Sequence, residues 1–272
     1  MTYFKSKSVI FIYRLFNRYA RLDSLSFSVQ VANYFDAILE SFVEYENLFR
    51  LGCENDGGYL AANRLDTTDI AISFGIGSNY SWDQDIAKRV NRVLMYDHTI
   101  QTPGKLSSNM EFHKLRISGK EKGAKVTNLT EIVSDFPQGQ EFLLKMDIEG
   151  AEWEVLESIS KMELLRMKQI IVEFHDLIAM ILERRTDKFL EILNRLRPDF
   201  ALVNYHPNNH GLTMQLGGFQ VSDVVELTFI RRDLMTNDTL LGNGNARINN
   251  MPNCLSKADV RSFPANVSKR TY

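Results

Sequence analysis

The sequence predicts an α/β fold built on a doubly wound, mostly parallel sheet. From residue 70 onward, short apolar runs alternate with loops and amphipathic helical patterns, which is the order of elements in such sheets. Strands buried on both faces have continuous apolar sequences of this kind. Polar side chains concentrate directly after the runs, where open α/β sheets bind ligands. A chain of 272 residues with 44% hydrophobic content can bury one large core.

The predicted elements divide the chain into three parts. Residues 1–47 form a helical segment, since apolar residues recur at helical spacing between Val29 and Phe42. Residues 48–235 form the α/β domain, and it begins with a hairpin whose strands, 48–51 and 59–61, flank the turn Asp56-Gly57-Gly58. Residues 236–272 have no periodicity and are expected to form a tail that packs on this domain or extends from it.

Within the α/β domain, seven strands alternate with helices. The strands are predicted at 70–74, 93–96, 111–117, 141–147, 169–174, 200–205 and 224–231. The helices are predicted at 81–90, 129–136, 151–162 and 177–196. If the last strand runs antiparallel, its start lies at the same edge of the sheet as the ends of the others.

Composition excludes several classes of protein. The net charge is −2 and the charges are mixed along the chain, so no nucleic-acid partner is expected. Two distant cysteines imply neither a disulfide framework nor a zinc site, which fits the cytoplasm. Arg14 interrupts the apolar run 9–13, so we expect no transmembrane segment. A basic N-terminal helix that touches the inner membrane or a second copy in a homodimer stays open, beside a plain packing helix.

The first candidate ligand-binding segment follows strand 70–74 and contains Gly75, Gly77, Ser78 and Asn79. Glycines at this turn let the backbone approach a ligand closely. Position 80 is Tyr rather than a third glycine, which disfavours a dinucleotide pyrophosphate. A turn that needs glycine only for its geometry is the alternative.

Asp97 ends the strand next to the first one, twenty residues after Gly77. An acid at this place can accept both hydroxyls of a ribose, so it predicts a nucleoside-containing cofactor without choosing which. The alternative is a residue that only caps a loop.

Charged residues follow the fourth and fifth strands. Lys145, Asp147 and Glu149 alternate at the end of the fourth strand, while Glu173 and His175 share a face at the end of the fifth. Burying such charges is costly without a purpose, so both groups are candidates for catalysis. Glu152 and Glu154, in contrast, are interpreted as ordinary first-turn acids of the following helix.

Further polar residues belong to the acceptor side of the same edge. His206, Asn208 and His210 follow the sixth strand, and Glu226 lies near the start of the seventh. The carboxyl ends of these strands meet in one crevice, which favours a binding site over isolated structural residues. His206 and His210 are equally compatible with structural roles.

The run 144–152, Leu-Lys-Met-Asp-Ile-Glu-Gly-Ala-Glu, resembles the signature of the FkbM-type methyltransferases. Asp56-Gly57-Gly58-Tyr59, the loop 73–77, the strand end at Asp97 and the run 225–229 are similar to other members, so the resemblance covers residues 48–233. It implies a class I, Rossmann-like fold with strand order 3-2-1-4-5-7-6, with S-adenosylmethionine (SAM) as methyl donor. It also implies O-methylation of sugars in polysaccharides, glycolipids or natural products.

The resemblance assigns expected roles to residues. The cofactor would lie over Gly75 and Gly77 with Asp97 on its ribose, and the segment 115–118, ending at Ser118, would lie near adenine. Asp147 is expected to contact both cofactor and acceptor. One departure is that strand one ends Ser73-Phe74-Gly75, without an acid before the glycine.

Methyl transfer to a hydroxyl requires alignment of the oxygen and removal of its proton. Either His175 or Glu149 takes the proton while Asp147 orients the acceptor, or Asp147, Glu173 and His175 hold Mg²⁺ or Mn²⁺. A carbohydrate or glycan acceptor is expected to contact the residues Asp56, Tyr59, His206, Asn208 and Glu226. The alternatives are a nicotinamide-dependent sugar oxidoreductase or epimerase and a non-catalytic carbohydrate-binding module.

Overall fold

A computed structural model describes residues 25–45, 47–66 and 69–235, with side chains from residue 28 onward. The helices are α1 (Leu25–Ser41), α2 (Ser81–Ala87), α3 (Leu129–Ser134), α4 (Glu152–Ser158), α5 (Lys161–Leu164), α6 (Leu177–Leu182) and α7 (Asp187–Leu196). The predicted segment 1–47 therefore contains a helix, but its residues 1–24 lie outside the described part of the chain, as does the tail 236–272.

The first strands are β1 (Leu48–Leu51), β2 (Tyr59–Ala62), β3 (Ile70–Phe74), β4 (Arg92–Tyr96), β5 (Met110–His113), β6 (Arg116–Ile117) and β7 (Val126–Thr127). They are followed by β8 (Phe142–Met146), β9 (Met167–Phe174), β10 (Phe200–Pro207), β11 (Thr213–Leu216), β12 (Phe219–Ser222) and β13 (Val225–Arg231). Seven of them form the central sheet, in the order β10-β13-β9-β8-β3-β4-β5. When the seven strands are numbered along the chain, the order from the β5 edge to the β10 edge is 3-2-1-4-5-7-6.

The α/β fold is confirmed. Strands β5, β4, β3, β8 and β9 are parallel, and β13 runs antiparallel to both of its neighbours. All residues of β3, β8, β9 and β10 are buried, because helices and the hairpin cover both faces of the sheet. Alternate residues of one strand enter different cores: Ile72 belongs to the core that contains Trp153 and Phe174, and Ala71 belongs to the core that contains Trp82.

Two predicted helices are each divided in the structure. The predicted helix 177–196 is α6 followed by α7, because the Arg185 amide bonds back to the Met180 carbonyl and Arg184 takes a left-handed φ of 57°. The predicted helix 151–162 ends at Ser158, and α5 starts anew behind Ser160, whose side chain forms a capping box with Glu163.

The strand prediction 111–117 was also too long. The Leu115 amide donates to the His113 carbonyl at 2.8 Å, a tight turn that ends β5. Strand β6 then leaves the central sheet and pairs in parallel with β7. The hairpin of β11 and β12, which turns at Gly217 and Gly218 with φ of 56° and 85°, was not predicted.

The β1–β2 hairpin lies against the sheet and brings its turn to the carboxyl ends of the strands. The buried side-chain amide of Gln169 in β9 bonds both the N–H and the carbonyl of Ala62, at 2.9 and 2.7 Å. Thr228 in β13 donates to the Leu60 carbonyl at 2.7 Å. These side-chain bonds satisfy backbone groups of β2 that would otherwise need a neighbouring strand as their partner.

Across the described ranges 25–45, 47–66 and 69–235, no helix has the length and apolar character needed to cross a membrane.

Candidate active site

The loop after β3 contains two glycines in left-handed conformation for different reasons. A Cβ on Gly75, where φ is 75°, would lie 1.5 Å from the Asp147 carbonyl oxygen, so the backbone directly after β8 excludes any side chain there. A Cβ on Gly77, where φ is 58°, would meet no heavy atom of the described residues within 4 Å. Gly77 is exposed and borders open space at the edge of the sheet. The open space beside Gly77 is called the cradle below, and any side chain at position 77 would fill it.

Asp97, after β4, organises this loop. Its Oδ2 accepts the amides of Ile76 and Gly77, both at 2.9 Å, and its Oδ1 accepts the amide and hydroxyl of Thr99, both at 2.6 Å. Burial raises the pKa of Asp97, but these hydrogen bonds outweigh burial and hold the pKa below its ordinary value. A ribose bound at Asp97 would share the carboxylate oxygens of Asp97 with the amides of the loop.

The remaining predicted cofactor residues differ in exposure. Ser78 and Asn79 are exposed, and Asn79 donates to the Asp56 carbonyl at 3.2 Å, which joins the glycine loop to the hairpin turn. Ser118 is fully buried and its hydroxyl donates to Glu154 at 2.7 Å. Ser118 therefore anchors the segment after β6 to helix α4, and its contact with adenine stays a prediction. Glu154, predicted to be a plain first-turn acid, has this anchoring role.

Lys145 lies beneath the glycine loop. Its side chain is buried, and its ammonium donates to the Gly75 carbonyl at 2.6 Å while staying 4.0 Å from the nearest Asp147 oxygen. The alternation predicted for Lys145, Asp147 and Glu149 ends at Asp147, because Glu149 has a left-handed φ of 54° and the chain turns back. Lys145 thus supports the loop, and the two carboxylates face the crevice.

Tyr59, from the hairpin, bridges the ends of the fourth and fifth strands of the sheet. Its hydroxyl lies 2.8 Å from Asp147 Oδ2 and 2.8 Å from Glu173 Oε2. Asn208 donates to Glu173 Oε1 at 2.9 Å and reaches Asp56 Oδ1 at 3.4 Å. The structure therefore brings five of the residues predicted from the sequence into one hydrogen-bonded cluster.

A single hydroxyl hydrogen on Tyr59 cannot serve two ionised carboxylates at once. Burial, followed by the charges of Asp147 and Glu226, raises the pKa of Glu173 well above its ordinary value. The raised pKa favours the protonated form of Glu173, and in that form Glu173 can donate to the Tyr59 oxygen while the Tyr59 hydroxyl donates to Asp147. In this arrangement Asp147 accepts the Tyr59 hydroxyl at the crevice.

His175 is held by Glu152, a residue that the sequence interpretation missed. Glu152 is fully buried and accepts the amides of Ile148 and Gly150, at 2.7 and 2.9 Å, and its Oε1 lies 3.2 Å from His175 Nδ1. The interpretation of Glu152 as an ordinary first-turn acid was wrong. The signal was the turn itself, because left-handed residues at 149 and 150 expose amides that need an acceptor.

The other ring nitrogen of His175 faces the crevice. Its Nε2 lies 3.7 Å from Glu149 Oε2, 3.8 Å from Asp147 Oδ1 and 3.9 Å from Glu173 Oε1. Burial alone lowers the pKa of His175, but Glu152, Glu173 and Asp147 together raise it well above its ordinary value. The imidazole therefore compensates negative charge in the cluster.

The remaining residues on the acceptor side occupy one row across β10, β13 and β9. His206 pairs in register with Glu226, and Glu226 pairs with Glu173. His206 Nδ1 lies 3.3 Å from Glu226 Oε2, and both side chains are buried. His210 is exposed, and its amide bonds to Asn208 Oδ1, so it belongs to the loop rather than to this row.

The arrangement defines a class I methyltransferase: a glycine loop after the first strand, an acid after the second, and a polar cluster at the ends of the fourth and fifth. The cradle at Gly77 and the hydrogen-bonded Asp97 fit a nucleoside-containing cofactor. Asp147, Glu149 and His175 offer ligand atoms that all lie within 4.8 Å of one another, close enough to hold a metal ion.

Comparison with known proteins identifies the family. The sequence profile described as "Methyltransferase FkbM domain" matches residues 31–201, more than half of the chain. The chain therefore belongs to the FkbM methyltransferase domain family and is a SAM-dependent methyltransferase. A search of curated protein sequences found no significant match.

Several solved structures resemble the fold at low sequence identity. An rRNA methylase from Streptococcus thermophilus is 17% identical, with 61% of this chain and 89% of that chain covered and a TM-score of 0.40. A Streptococcus mutans protein solved with SAH is 14% identical, with coverages of 61% and 90% and a TM-score of 0.39. A dimethyladenosine transferase from Plasmodium falciparum is 12% identical, with coverages of 78% and 64% and a TM-score of 0.38.

Proposed function

We propose that this methyltransferase transfers the methyl group of SAM to a hydroxyl of a sugar or glycan. The observation that carries the proposal is the cluster of carboxylates beside the glycine loop, in which Tyr59 joins Asp147 to Glu173. Sugar hydroxyls are hydrogen-bond donors, and ionised carboxylates are acceptors only, so the two are complementary.

The charge of the cluster also bears on the class of acceptor. The carboxylates of Asp56, Asp147, Glu149 and Glu226 lie around Tyr59 and His175. A phosphate-rich acceptor would meet repulsion there, because like charges at short distance are unfavourable. This supports a neutral polyol over a nucleic acid, although RNA-directed enzymes are among the proteins with similar folds.

SAM supplies an electrophilic methyl group on a sulfonium. For this chain we propose that Gly75 and Gly77 let the loop lie close to the cofactor, with Ser78 and Asn79 at the exposed border. Asp97 holds the loop and shares its carboxylate with the ribose, and Ser118 holds the wall beside adenine. Each of these assignments follows the resemblance of the loop to class I enzymes.

On the acceptor side, Asp147 orients the hydroxyl and Glu149 takes its proton; His175 can take that proton only after releasing its own, because its pKa is raised. Glu149 is better placed to meet the acceptor directly, because its side chain is 65% exposed and that of His175 is 6% exposed. Asp56, Tyr59, Asn208, His206 and Glu226 line the acceptor side. A Mg²⁺ or Mn²⁺ ion, for which the sequence predicts the ligands Asp147, Glu173 and His175, is the second way to activate the hydroxyl.

The test is a panel of nucleotide sugars, oligosaccharides and glycolipids incubated with SAM carrying a deuterated methyl group. We expect a product heavier by one deuterated methyl on a hydroxyl, located by mass spectrometry, and loss of that product with Asp147→Asn. Transfer to RNA but to no sugar would refute the proposed acceptor. The cytoplasm, or the inner-membrane surface, stays the predicted place of action.

A further inference from the structure

The geometry points to a divalent-cation site formed by Asp147, Glu149 and His175, in which Glu173 is an outer partner rather than a ligand. The inference rests on the proposed function, because the cation is assigned to the acceptor hydroxyl. It changes the ligand set expected from the sequence, which contained Glu173 instead of Glu149.

The three side chains converge at a spacing close to that of a metal site. His175 Nε2 lies 3.7 Å from Glu149 Oε2 and 3.8 Å from Asp147 Oδ1. Ligand atoms around an ion with bonds of about 2.1 Å lie about 3 Å apart, so each of these two distances needs to shorten by less than about 1 Å. Rotations of the Glu149 and Asp147 side chains, which are 65% and 28% exposed, supply that contraction.

His175 provides the observation that points to a ligand. Its side chain is more than nine-tenths buried, and within the described residues its Nε2 forms no hydrogen bond. The nitrogen is nevertheless aimed at carboxylates of three residues, all beyond hydrogen-bond distance. Its other nitrogen, Nδ1, is paired with the buried carboxylate of Glu152. Metal-binding histidines use this second-layer pairing to orient the ring and present the free nitrogen to the ion.

Glu173 differs from the proposed ligands because both of its oxygens already have partners. Oε2 is bonded to Tyr59 and Oε1 to Asn208, at 2.8 and 2.9 Å. These partners, Tyr59 and Asn208, also contact Asp147 and Asp56. A Glu173 that bound the ion would therefore have to break hydrogen bonds that hold the wall of the crevice together. Glu149 has no such bond among the described residues, and its loop turns its side chain toward His175.

The donor set favours Mn²⁺. Two carboxylates suit hard divalent cations, and one imidazole suits the borderline transition metals, so a mixed set selects Mn²⁺ over Mg²⁺. Three protein ligands leave coordination positions on the exposed side, as catalytic metal sites require. An ion held there would lower the pKa of an acceptor hydroxyl, whose proton would pass to water. The hydroxyl oxygen would then form the bond to the methyl carbon of SAM, and the sulfur would keep the electron pair of the bond that breaks.

The test is titration of the chelator-treated full-length protein with Mn²⁺ alone, followed by electron paramagnetic resonance and calorimetry. We expect one Mn²⁺ site per chain. The variants Glu149→Gln and His175→Gln should each bind Mn²⁺ at least about tenfold more weakly. Glu191→Gln on the exposed face of α7 is the matched control, since it removes the same charge away from the site, and it should bind like the unmodified protein. Glu152→Gln should weaken binding about 10- to 100-fold as an outer partner.

Absence of a Mn²⁺ site at millimolar concentration, or equal binding by Glu149→Gln and the unmodified protein, would overturn the inference. SAM affinity, measured in parallel with excess chelator, should be the same in Glu149→Gln and Glu191→Gln. Sugar methylation that continues at full rate in chelator rejects the cation and keeps the proposed function. Mn²⁺ binding without methylation of any sugar rejects the acceptor and keeps the site.

Discussion

Replacing Gly77 by valine tests whether the loop after β3 holds the cofactor. Gly77 has a φ of 58°, and a Cβ built on it meets no heavy atom of the described residues within 4 Å. The substitution therefore adds backbone strain of about 1–3 kcal/mol without a clash inside the protein. The isopropyl group projects into the space assigned to SAM.

The expected result is a folded variant with little cofactor affinity. A side chain in van der Waals conflict with the ligand lowers affinity by about 100-fold or more, which corresponds to about 2.7 kcal/mol or more. Isothermal titration with SAM measures the affinity, and urea unfolding measures the strain. The two measurements separate a blocked cradle from a damaged fold.

Gly218→Val is the matched control. Gly218 also has a left-handed φ, of 85°, and a Cβ there also meets no described heavy atom within 4 Å, but it lies in the turn between β11 and β12. Both variants should lose similar stability, and only Gly77→Val should lose SAM binding. Equal SAM affinity in the two variants would refute the assignment of the loop.

Three further predictions concern other parts of the structure. Gln169→Leu leaves the buried N–H and carbonyl of Ala62 without partners and should cost about 2–4 kcal/mol in urea unfolding; a loss below about 1 kcal/mol would contradict the docking of the hairpin. Tyr59→Phe should slow methyl transfer about 10- to 100-fold with unchanged SAM affinity, since the cluster loses its bridge, and an unchanged kcat would remove Tyr59 from the site. Burial raises the pKa of Asp83 to about 6, above its value in the unfolded chain. The native state therefore binds the proton on Asp83 more tightly than the unfolded chain does, and the free energy of unfolding rises as the pH falls from about 6 to 4. Above pH 6, the buried Asp83 carboxylate lowers the free energy of unfolding by up to about 3 kcal/mol. Asp83→Asn should stabilise the protein at pH 8 and reduce the difference in the free energy of unfolding between pH 5 and pH 8. The same difference in the variant and in the unmodified protein would contradict this prediction.

The strands were predictable because burial on both faces leaves a direct sequence signal. The runs ending at Phe74, Met146 and Phe174 are mostly apolar and buried along their whole length, and each is a strand of the central sheet. Parallel pairing then places the residues that follow them at one edge, which is why Asp147 and His175 could be assigned to one crevice without a structure.

The helix interruptions were not predictable from periodicity. Residues 177–196 keep apolar residues on both sides of Arg184, and a left-handed arginine gives no composition signal of the kind that glycine or proline would. Similarly, Ser118 and Glu154 are 36 residues apart in sequence, and only the folded chain shows that the buried hydroxyl of one bonds the carboxylate of the other.

Glu152 explains why the segment 147–152 has its particular sequence. The chain turns back through Glu149 and Gly150, whose φ values are 54° and 101°, and this turn directs the amides of Ile148 and Gly150 to one side. A single carboxylate accepts both amides and also holds His175 from the neighbouring strand. The turn of one strand and the imidazole of the next are thereby positioned by the same group. A change at Glu152 should consequently displace Glu149 and His175 together, whereas a change at Glu149 should leave the ring in place.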